Sequence, residues 1–232
     1  MSFIARAGAI ARASHGSLTG FNLKLKIVVF DMDGVLVDIG SSWQFVHRKL
    51  NVDNSDNLKQ FLSHEISYLE FMKKDIELWG KANINTIKNI LEEVPLMKNA
   101  KLTVAQLKKA GYKTTVISSG ISMLAERVQR ELRIDFVFAN RIVADRNGVL
   151  TGKGVEVVNP LNKEAVLRRF ASDQHTTPQC CAVVGDTIFD VPMFREAGFS
   201  IAFNTDDKRV KKAANVAVEG KYLQRILPYL IL

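Results

Sequence analysis

In the stretch Lys26-Ile-Val-Val-Phe-Asp31-Met-Asp33-Gly34-Val-Leu36, an apolar run ends in two carboxylates one residue apart. Such a run is typical of a buried parallel strand, which delivers polar side chains to the sheet edge where open α/β folds bind ligands. Alternate residues of a strand point to the same side, so Asp31 and Asp33 are predicted to share one face. Two charges this close are tolerated when a cation lies between them or when one carboxyl keeps its proton. Both conditions suit chemistry on a phosphate.

Two kinds of pattern follow this strand. Up to about residue 95 the pattern is helical, which predicts a small helical cap inserted over the sheet edge. Beyond it, apolar strands alternate with helices, which predicts a Rossmann-like, doubly wound and mostly parallel sheet of the α/β class. Within this part, Asn147-Gly148 predicts a hairpin with a type I′ turn. The predicted organisation is an N-terminal extension (1–23), an α/β core (24–39 and 96–232) and a helical cap (40–95).

Composition limits the possible partners and locations. No stretch approaches the roughly 18 apolar residues of a membrane span, so no membrane partner is predicted. The net charge is +8, but the first 30 residues contribute four bases and no acid, which makes nucleic acid an unfavoured partner. The adjacent Cys180 and Cys181 favour reduced thiols and a cytoplasmic location. Residues 1–23 are acid-free and contain Ser and Arg, so organellar targeting is the alternative to a simple extension. Oligomeric state is not predicted.

Polar residues recur at the carboxyl ends of the predicted strands, which meet at one sheet edge. This placement predicts phosphoryl transfer, in which Asp31 attacks phosphorus to form an aspartyl phosphate and Asp33 acts as general acid and base. Mg²⁺ suits a site of carboxylate and carbonyl oxygens, and a lysine and small residues would hold the phosphoryl oxygens. The predicted metal residues are Asp31, Asp33, Asp186 and Asp190, and the predicted substrate-binding residues are Gly34, Ser118, Ser119, Gly120 and Lys163. For Asp190 alone, capping a helix is an alternative to orienting Lys163 and a metal-bound water.

The ordered set of Asp31-Met-Asp33, Ser118-Ser119-Gly120, Lys163 and Gly185-Asp186 resembles the four motifs of the haloacid dehalogenase superfamily. The resemblance covers roughly residues 26 to 218 and implies an aspartate-based phosphatase with bound Mg²⁺ and a cap of the first type. Ala139-Asn140-Arg141-Ile142 adds a likeness to phosphoserine phosphatases.

The chain departs from the phosphoserine phosphatases where they bind the serine moiety. Gly40 lies where the resemblance would place an acid for the substrate amine, and Phe189 replaces an Asn near the metal. The cap holds one arginine, Arg48, and Lys73-Lys74-Asp75 occupies the neighbourhood of the expected carboxylate-binding arginine. A small phosphorylated metabolite is therefore the predicted substrate, without assignment to phosphoserine.

Two other functions fit the same residues. A phosphomutase would share the aspartyl phosphate but return the phosphoryl group to a sugar. A regulatory module would bind phosphate or hold phosphorylated aspartate without turnover, although an acid/base at Asp33 favours hydrolysis.

Overall fold

The computed structural model describes residues 25–231, and its centre is a seven-stranded sheet in the order β4-β3-β2-β1-β5-β6-β7. All neighbouring strands are parallel except β3 and β4, which form an antiparallel hairpin. The strands are Ile27–Phe30 (β1), Lys113–Ile121 (β2), Phe136–Ala144 (β3), Leu150–Val155 (β4), Cys181–Gly185 (β5), Phe199–Phe203 (β6) and Val216–Val218 (β7). The predicted α/β class with a mostly parallel sheet is confirmed.

Helices cover both faces of the sheet. Strand β1 is fully buried, with Val28 and Phe30 in one hydrophobic core and Ile27 and Val29 in the other. This alternation is what a strand between two helical layers requires. Within the described residues the α-helices are Ser42–Leu50 (α1), Ser55–Leu62 (α2), Tyr68–Leu78 (α3), Ile84–Glu92 (α4), Ala100–Lys109 (α5), Ser122–Leu132 (α6), Lys163–Asp173 (α7), Val191–Glu196 (α8) and Lys208–Ala213 (α9). None of them is long and apolar enough to cross a membrane.

Helices α1 to α4 lie between β1 and α5, and we call residues 42–92 the helical insert. The insert rests on the β3–β4 hairpin, where the Ile84 N–H donates to the Gly148 carbonyl (2.7 Å) and the Leu150 N–H donates to the Ala82 carbonyl (3.1 Å). Inside it, the buried Asp75 accepts hydrogen bonds from His47 Nε2 (3.1 Å) and Asn54 Nδ2 (2.8 Å). These contacts join α1 to α3 and hold the insert against the sheet.

Two local features differ from the sequence-based expectations. The hairpin is present, but the prediction of a type I′ turn is wrong. Such a turn needs a positive φ at both central residues, and only Gly148 (φ +79°) has one, whereas Asn147 does not. The Asp145 carboxylate instead accepts the N–H groups of Asn147 (2.9 Å) and Val149 (2.9 Å), which shapes a longer loop. Helix α2 was not predicted, because Phe61 is its one buried side chain and a single apolar anchor gives no helical periodicity. The expectations for residues 1–23 lie outside the described residues.

Candidate active site

The site lies where β1 ends between its two neighbours. Strands β2 and β5 both pair with β1 in parallel, so the carboxyl ends of all three meet at one edge. A cleft of about 170 Å³ opens there. Its lining residues are Asp31, Asp33, Gly40, Ser41, Trp43, Ser118, Ser119, Gly120, Lys163, Thr187 and Phe189. The topology therefore brings together residues that lie more than a hundred positions apart in the chain.

Lys163, the first residue of α7, forms a buried ion-pair triad with two aspartates. Its Nζ lies 3.0 Å from Asp31 Oδ2 and 2.7 Å from Asp190 Oδ1, and its side chain is almost fully buried. Burial disfavours the ammonium, but the charges of Asp190 and Asp31 outweigh it and raise the pKa of Lys163 above its ordinary value. Lys163 is thus a fixed positive charge beside Asp31.

Asp33 is held by the first turn of the helical insert. Its Oδ2 accepts hydrogen bonds from both the N–H and the hydroxyl of Ser42, each at 2.8 Å. Burial raises the pKa of Asp33 to about 7, although the Ser42 hydrogen bonds oppose this shift. A carboxyl group with this pKa exchanges a proton readily near neutral pH, as a general acid and base must.

A cluster of carboxylates lies beside Lys163. Oxygen atoms of Asp31, Asp186 and Asp190 lie within 4.8 Å of one another. Burial, together with the charges of Asp31 and Asp190, raises the pKa of Asp186 to about 9, and burial also raises the pKa of Asp31. Asp186 Oδ1 is buried without a hydrogen-bond partner among the described residues. Such a group of acids is stable as carboxylates only when a cation compensates their charge.

Asp190 shapes the loop that follows β5. Its Oδ2 accepts the N–H groups of Asp186 (3.0 Å) and Thr187 (3.0 Å), while its Oδ1 binds Lys163. Asp190 therefore fixes the backbone that presents the Asp186 carboxylate. Asp190 contacts Lys163 as expected, but it makes no side-chain cap hydrogen bond to α8, the helix that holds Pro192; its carboxylate instead closes the 3-10 turn 188–190.

The carbonyl of Ser119 is a second place, besides the β3–β4 hairpin, where the helical insert contacts the sheet. It accepts hydrogen bonds from the Trp43 indole Nε1 (3.0 Å), the Tyr68 hydroxyl (3.0 Å) and Asn140 Nδ2 (3.0 Å). Asn140 is fully buried on β3 and also donates to the Tyr68 hydroxyl (2.9 Å). These bonds hold two helices of the insert over the segment that contains Ser118, whose Oγ accepts the Gly120 N–H (3.1 Å).

Gly34 lies against the acidic cluster. Its φ is +76°, and a Cβ at this position would lie 2.0 Å from Asp186 Oδ2. The Gly34 N–H donates to the carbonyls of Val37 (3.1 Å) and Ile39 (2.7 Å), which closes the loop after β1. Glycine is required here both for the left-handed backbone and for the close approach of Asp186.

A Gly34→Ala variant is expected to lose about a hundredfold in kcat/KM, because even a displacement of Asp186 by an ångström misplaces the reacting groups. Its free energy of unfolding should also fall by more than the roughly 1–2 kcal/mol of left-handed strain. Gly111→Ala is the matched control, since Gly111 (φ +90°) has nothing within 4 Å of the added methyl group. Phosphate release measures the change in kcat/KM, and urea unfolding measures the change in the free energy of unfolding. Equal losses in the two variants would contradict the steric argument.

Each predicted site residue lies in or beside the cleft, although three functional contacts had not been predicted. Ser42, Tyr68 and Asn140 are buried polar residues that organise Asp33 and the Ser119 carbonyl. A serine at a helix start is typical of a cap, so the sequence gives no signal for the contact of Ser42; the cap itself is Ser41, which accepts the Gln44 N–H. A signal for Asn140 existed in the likeness of its segment to phosphoserine phosphatases.

Comparison with known proteins agrees with this geometry. Residues 25–198 match the family profile of the haloacid dehalogenase-like hydrolases. The phosphoserine phosphatase of Methanocaldococcus jannaschii is 26% identical over 211 residues, which cover 89% of this chain and 98% of that enzyme. The enzyme of Albidiferax ferrireducens is 30% identical, with 87% and 88% covered. That of Archaeoglobus fulgidus is 30% identical over 81% of this chain, which spans only 55% of the relative.

Solved structures show the same similarity. A phospho-aspartyl intermediate analogue of phosphoserine phosphatase superposes with a TM-score of 0.77, at 26% identity, over 89% of this chain and 99% of that one. A substrate-bound phosphoserine phosphatase complex matches with the same TM-score and identity.

Fold, site and relatives together define a class of phosphate-ester hydrolases that carry an aspartate dyad at the end of the first strand. This chain belongs to the haloacid dehalogenase-like hydrolase family. Within that family it is similar to the phosphatases, in particular to phosphoserine phosphatases.

Proposed function

We propose that this protein hydrolyses the phosphomonoester of a small metabolite through an aspartyl-phosphate intermediate. The observation that supports this most is the convergence of Asp31, Asp33 and Lys163 on one cleft, with Asp31 and Lys163 in direct contact. The three residues offer a nucleophile, a proton donor and a fixed positive charge, as phosphoryl transfer requires.

In the first half of the proposed reaction, an Asp31 carboxylate oxygen attacks phosphorus and the bond to the alcohol oxygen breaks. Asp33, whose pKa lies near 7, donates a proton to the departing oxygen. In the second half, Asp33 takes a proton from the water that attacks the aspartyl phosphate, and inorganic phosphate leaves. Lys163 balances charge on the phosphoryl oxygens throughout, and Ser118, Ser119 and Gly120 line the pocket that holds them. Gly34 supports this pocket from beside it, against Asp186.

The acidic cluster fits Mg²⁺ as the resident ion. The donors are all oxygens, and the buried Asp186 Oδ1 has no protein partner among residues 25–231. In this proposal Asp31, Asp186 and the main-chain carbonyl of Asp33 would hold the ion. Its positive charge would offset the negative charge of the phosphate ester and so reduce the repulsion of the attacking carboxylate. Both oxygens of Asp190 already accept protein hydrogen bonds, so it acts through Lys163 or an ordered water.

We propose that residues 40–95, which contain the helical insert, form one domain that serves as the cap of this active site. Its support is the contact of Trp43 and Tyr68 with the Ser119 carbonyl, which brings α1 and α3 over the cleft. A cap in this position excludes bulk water and limits the size of the alcohol. We also propose a cytoplasmic location, which agrees with the two free, buried cysteines Cys180 and Cys181.

The test is phosphate release from 4-nitrophenyl phosphate and from a panel of phosphorylated metabolites by the purified full chain. We expect turnover with Mg²⁺, its loss on adding a chelator, and its return when Mg²⁺ is restored. Isomerisation of a hexose phosphate without free phosphate would instead indicate a phosphomutase. A long-lived phosphorylated Asp31 without turnover would indicate a regulatory module.

A further inference from the structure

The cleft has an unusual distribution of charge. Among the described residues that line it, only Asp31, Asp33 and Lys163 carry charge, and the proposed function uses all three on the phosphoryl group. The other lining residues are uncharged: besides the segment 118–120 they are Gly40, Ser41, Trp43, Thr187 and Phe189. Apart from its leaving oxygen, which Asp33 would protonate, the alcohol of the substrate would therefore meet only hydroxyl groups, backbone and aromatic rings.

No lysine or arginine of the helical insert lines the cleft. The Lys74 ammonium donates to Gln60 Oε1 (2.7 Å), and Lys73 lies 3.7 Å from Glu77 on the outer face of α3. The Arg48 guanidinium lies over an aromatic ring of its own helix, 5.9 Å from the ring centroid. None of the three lines the cleft. A carboxylate on the alcohol would find no cationic partner from the insert.

The lining contains two aromatic residues, of which Trp43 is held by defined contacts. Trp43 stacks on Trp79 with ring centroids 5.4 Å apart, and its indole N–H donates to the Ser119 carbonyl. The Trp43 ring is thus held in one orientation by the stacked Trp79 ring and by the hydrogen bond of its indole N–H. Phe189 is half-buried in the turn that follows Asp186 and lies in the same cleft. Preformed aromatic surface of this kind binds apolar groups without a large cost in ordering.

We infer that this enzyme prefers phosphomonoesters of an uncharged alcohol that carries a flat apolar group, and discriminates against alcohols that carry a carboxylate. The inference rests on the proposed function and separates the chain from the phosphoserine phosphatases that it resembles. A zwitterionic alcohol would lose hydration on entering the cleft without gaining an ionic partner, which is unfavourable. An apolar alcohol would gain contact with Trp43 and Phe189.

The experiment compares kcat/KM for alkyl phosphates that have similar leaving oxygens and differ in charge and shape. The set is 2-phenylethyl phosphate, ethyl phosphate, phosphoserine and the uncharged N-acetyl amide of phosphoserine. We expect kcat/KM for 2-phenylethyl phosphate to exceed that for phosphoserine by at least about tenfold. The uncharged phosphoserine derivative should likewise exceed phosphoserine, because the two differ mainly in charge.

A variant pair tests the aromatic contact. Phe189→Ala should lower the preference for 2-phenylethyl over ethyl phosphate by about tenfold. Ile188→Ala is the matched control. The Ile188 side chain is next to Phe189 in the sequence, but it is 39% exposed and does not line the cleft. It should leave that preference unchanged. Equal preferences in the wild type and Phe189→Ala would overturn the assigned contact.

The outcomes distinguish the inferred substrate preference from the proposed phosphatase function. Phosphate release with phosphoserine as the best substrate would overturn this inference and leave the phosphatase function intact. Failure to release phosphate from every ester, with Mg²⁺ present, would overturn the proposed function and with it this inference.

Discussion

Replacing Asp31 by Asn is expected to lower kcat by at least about 10³-fold, because an amide oxygen is a far weaker nucleophile toward phosphorus than a carboxylate. The change is isosteric, and the Asn side chain keeps an oxygen that can accept the Met32 N–H, as Asp31 Oδ1 does at 2.7 Å. Lys163 also retains its ion pair with Asp190. The loss should therefore appear in turnover without loss of the fold, as measured by phosphate release and circular dichroism.

Asp38→Asn is the control for this substitution. Asp38 forms an ion pair with Lys221 at the protein surface, with the two charged groups 2.7 Å apart. Exposed pairs contribute little, so turnover should stay within about twofold of the wild type. Mass spectrometry after rapid acid quench should find a phosphorylated Asp31 peptide in the wild type and in Asp38→Asn, and no phosphorylated residue 31 in Asp31→Asn. Retention of more than about a tenth of wild-type kcat by Asp31→Asn would contradict a nucleophilic role.

Replacing Lys163 by Met is expected to reduce both stability and activity. The substitution leaves Asp31 and Asp190 buried without their shared cation, and breaking a buried pair in this way costs about 3–5 kcal/mol. Loss of a positive charge beside the phosphoryl group should lower kcat by a further factor of about 10²–10³. Urea unfolding measures the first effect, and phosphate release at saturating substrate measures the second.

Arg168→Met on the same helix, α7, provides the comparison for stability. The Arg168 side chain is 51% exposed and pairs with Glu196 at the surface, so its loss should change the free energy of unfolding by less than about 0.5 kcal/mol. Lys163→Arg keeps the charge and should retain more of the stability than Lys163→Met. If Lys163→Met unfolds no more easily than Arg168→Met, the triad does not stabilise the fold.

Much of the fold follows from local patterns in the sequence. The apolar run before Asp31 forms the central strand, and the alternation of strands and helices after residue 96 forms the parallel sheet. These elements were predictable because burial between two layers demands long apolar runs, and amphipathic helices demand a period of 3.6 residues. The turn of the hairpin was not, because the Asp145 carboxylate competes with the conformation that Asn147-Gly148 favours in isolation.

The candidate site was predictable in its charged members and less so in its supporting ones. Asp31, Asp33, Asp186 and Lys163 stand out because acids and a lysine at strand ends or a helix start have few purely structural reasons to recur in order. Ser42 does not stand out, since a serine at the start of α1 is common as a cap. Its contact with Asp33 depends on how the helix enters the sheet edge.

The sequence alone determined the succession of most strands and helices along the chain and the positions of the acids at strand ends, since both follow from periodicities within a few residues. Only the tertiary structure decided that Trp43, Tyr68 and Asn140 meet at one carbonyl, and that the cleft beyond the phosphoryl site is uncharged. The physical reason is that these contacts join segments separated by 21 to 76 residues. No short-range pattern specifies how such segments pack, because their positions depend on the docking of whole helices onto the sheet.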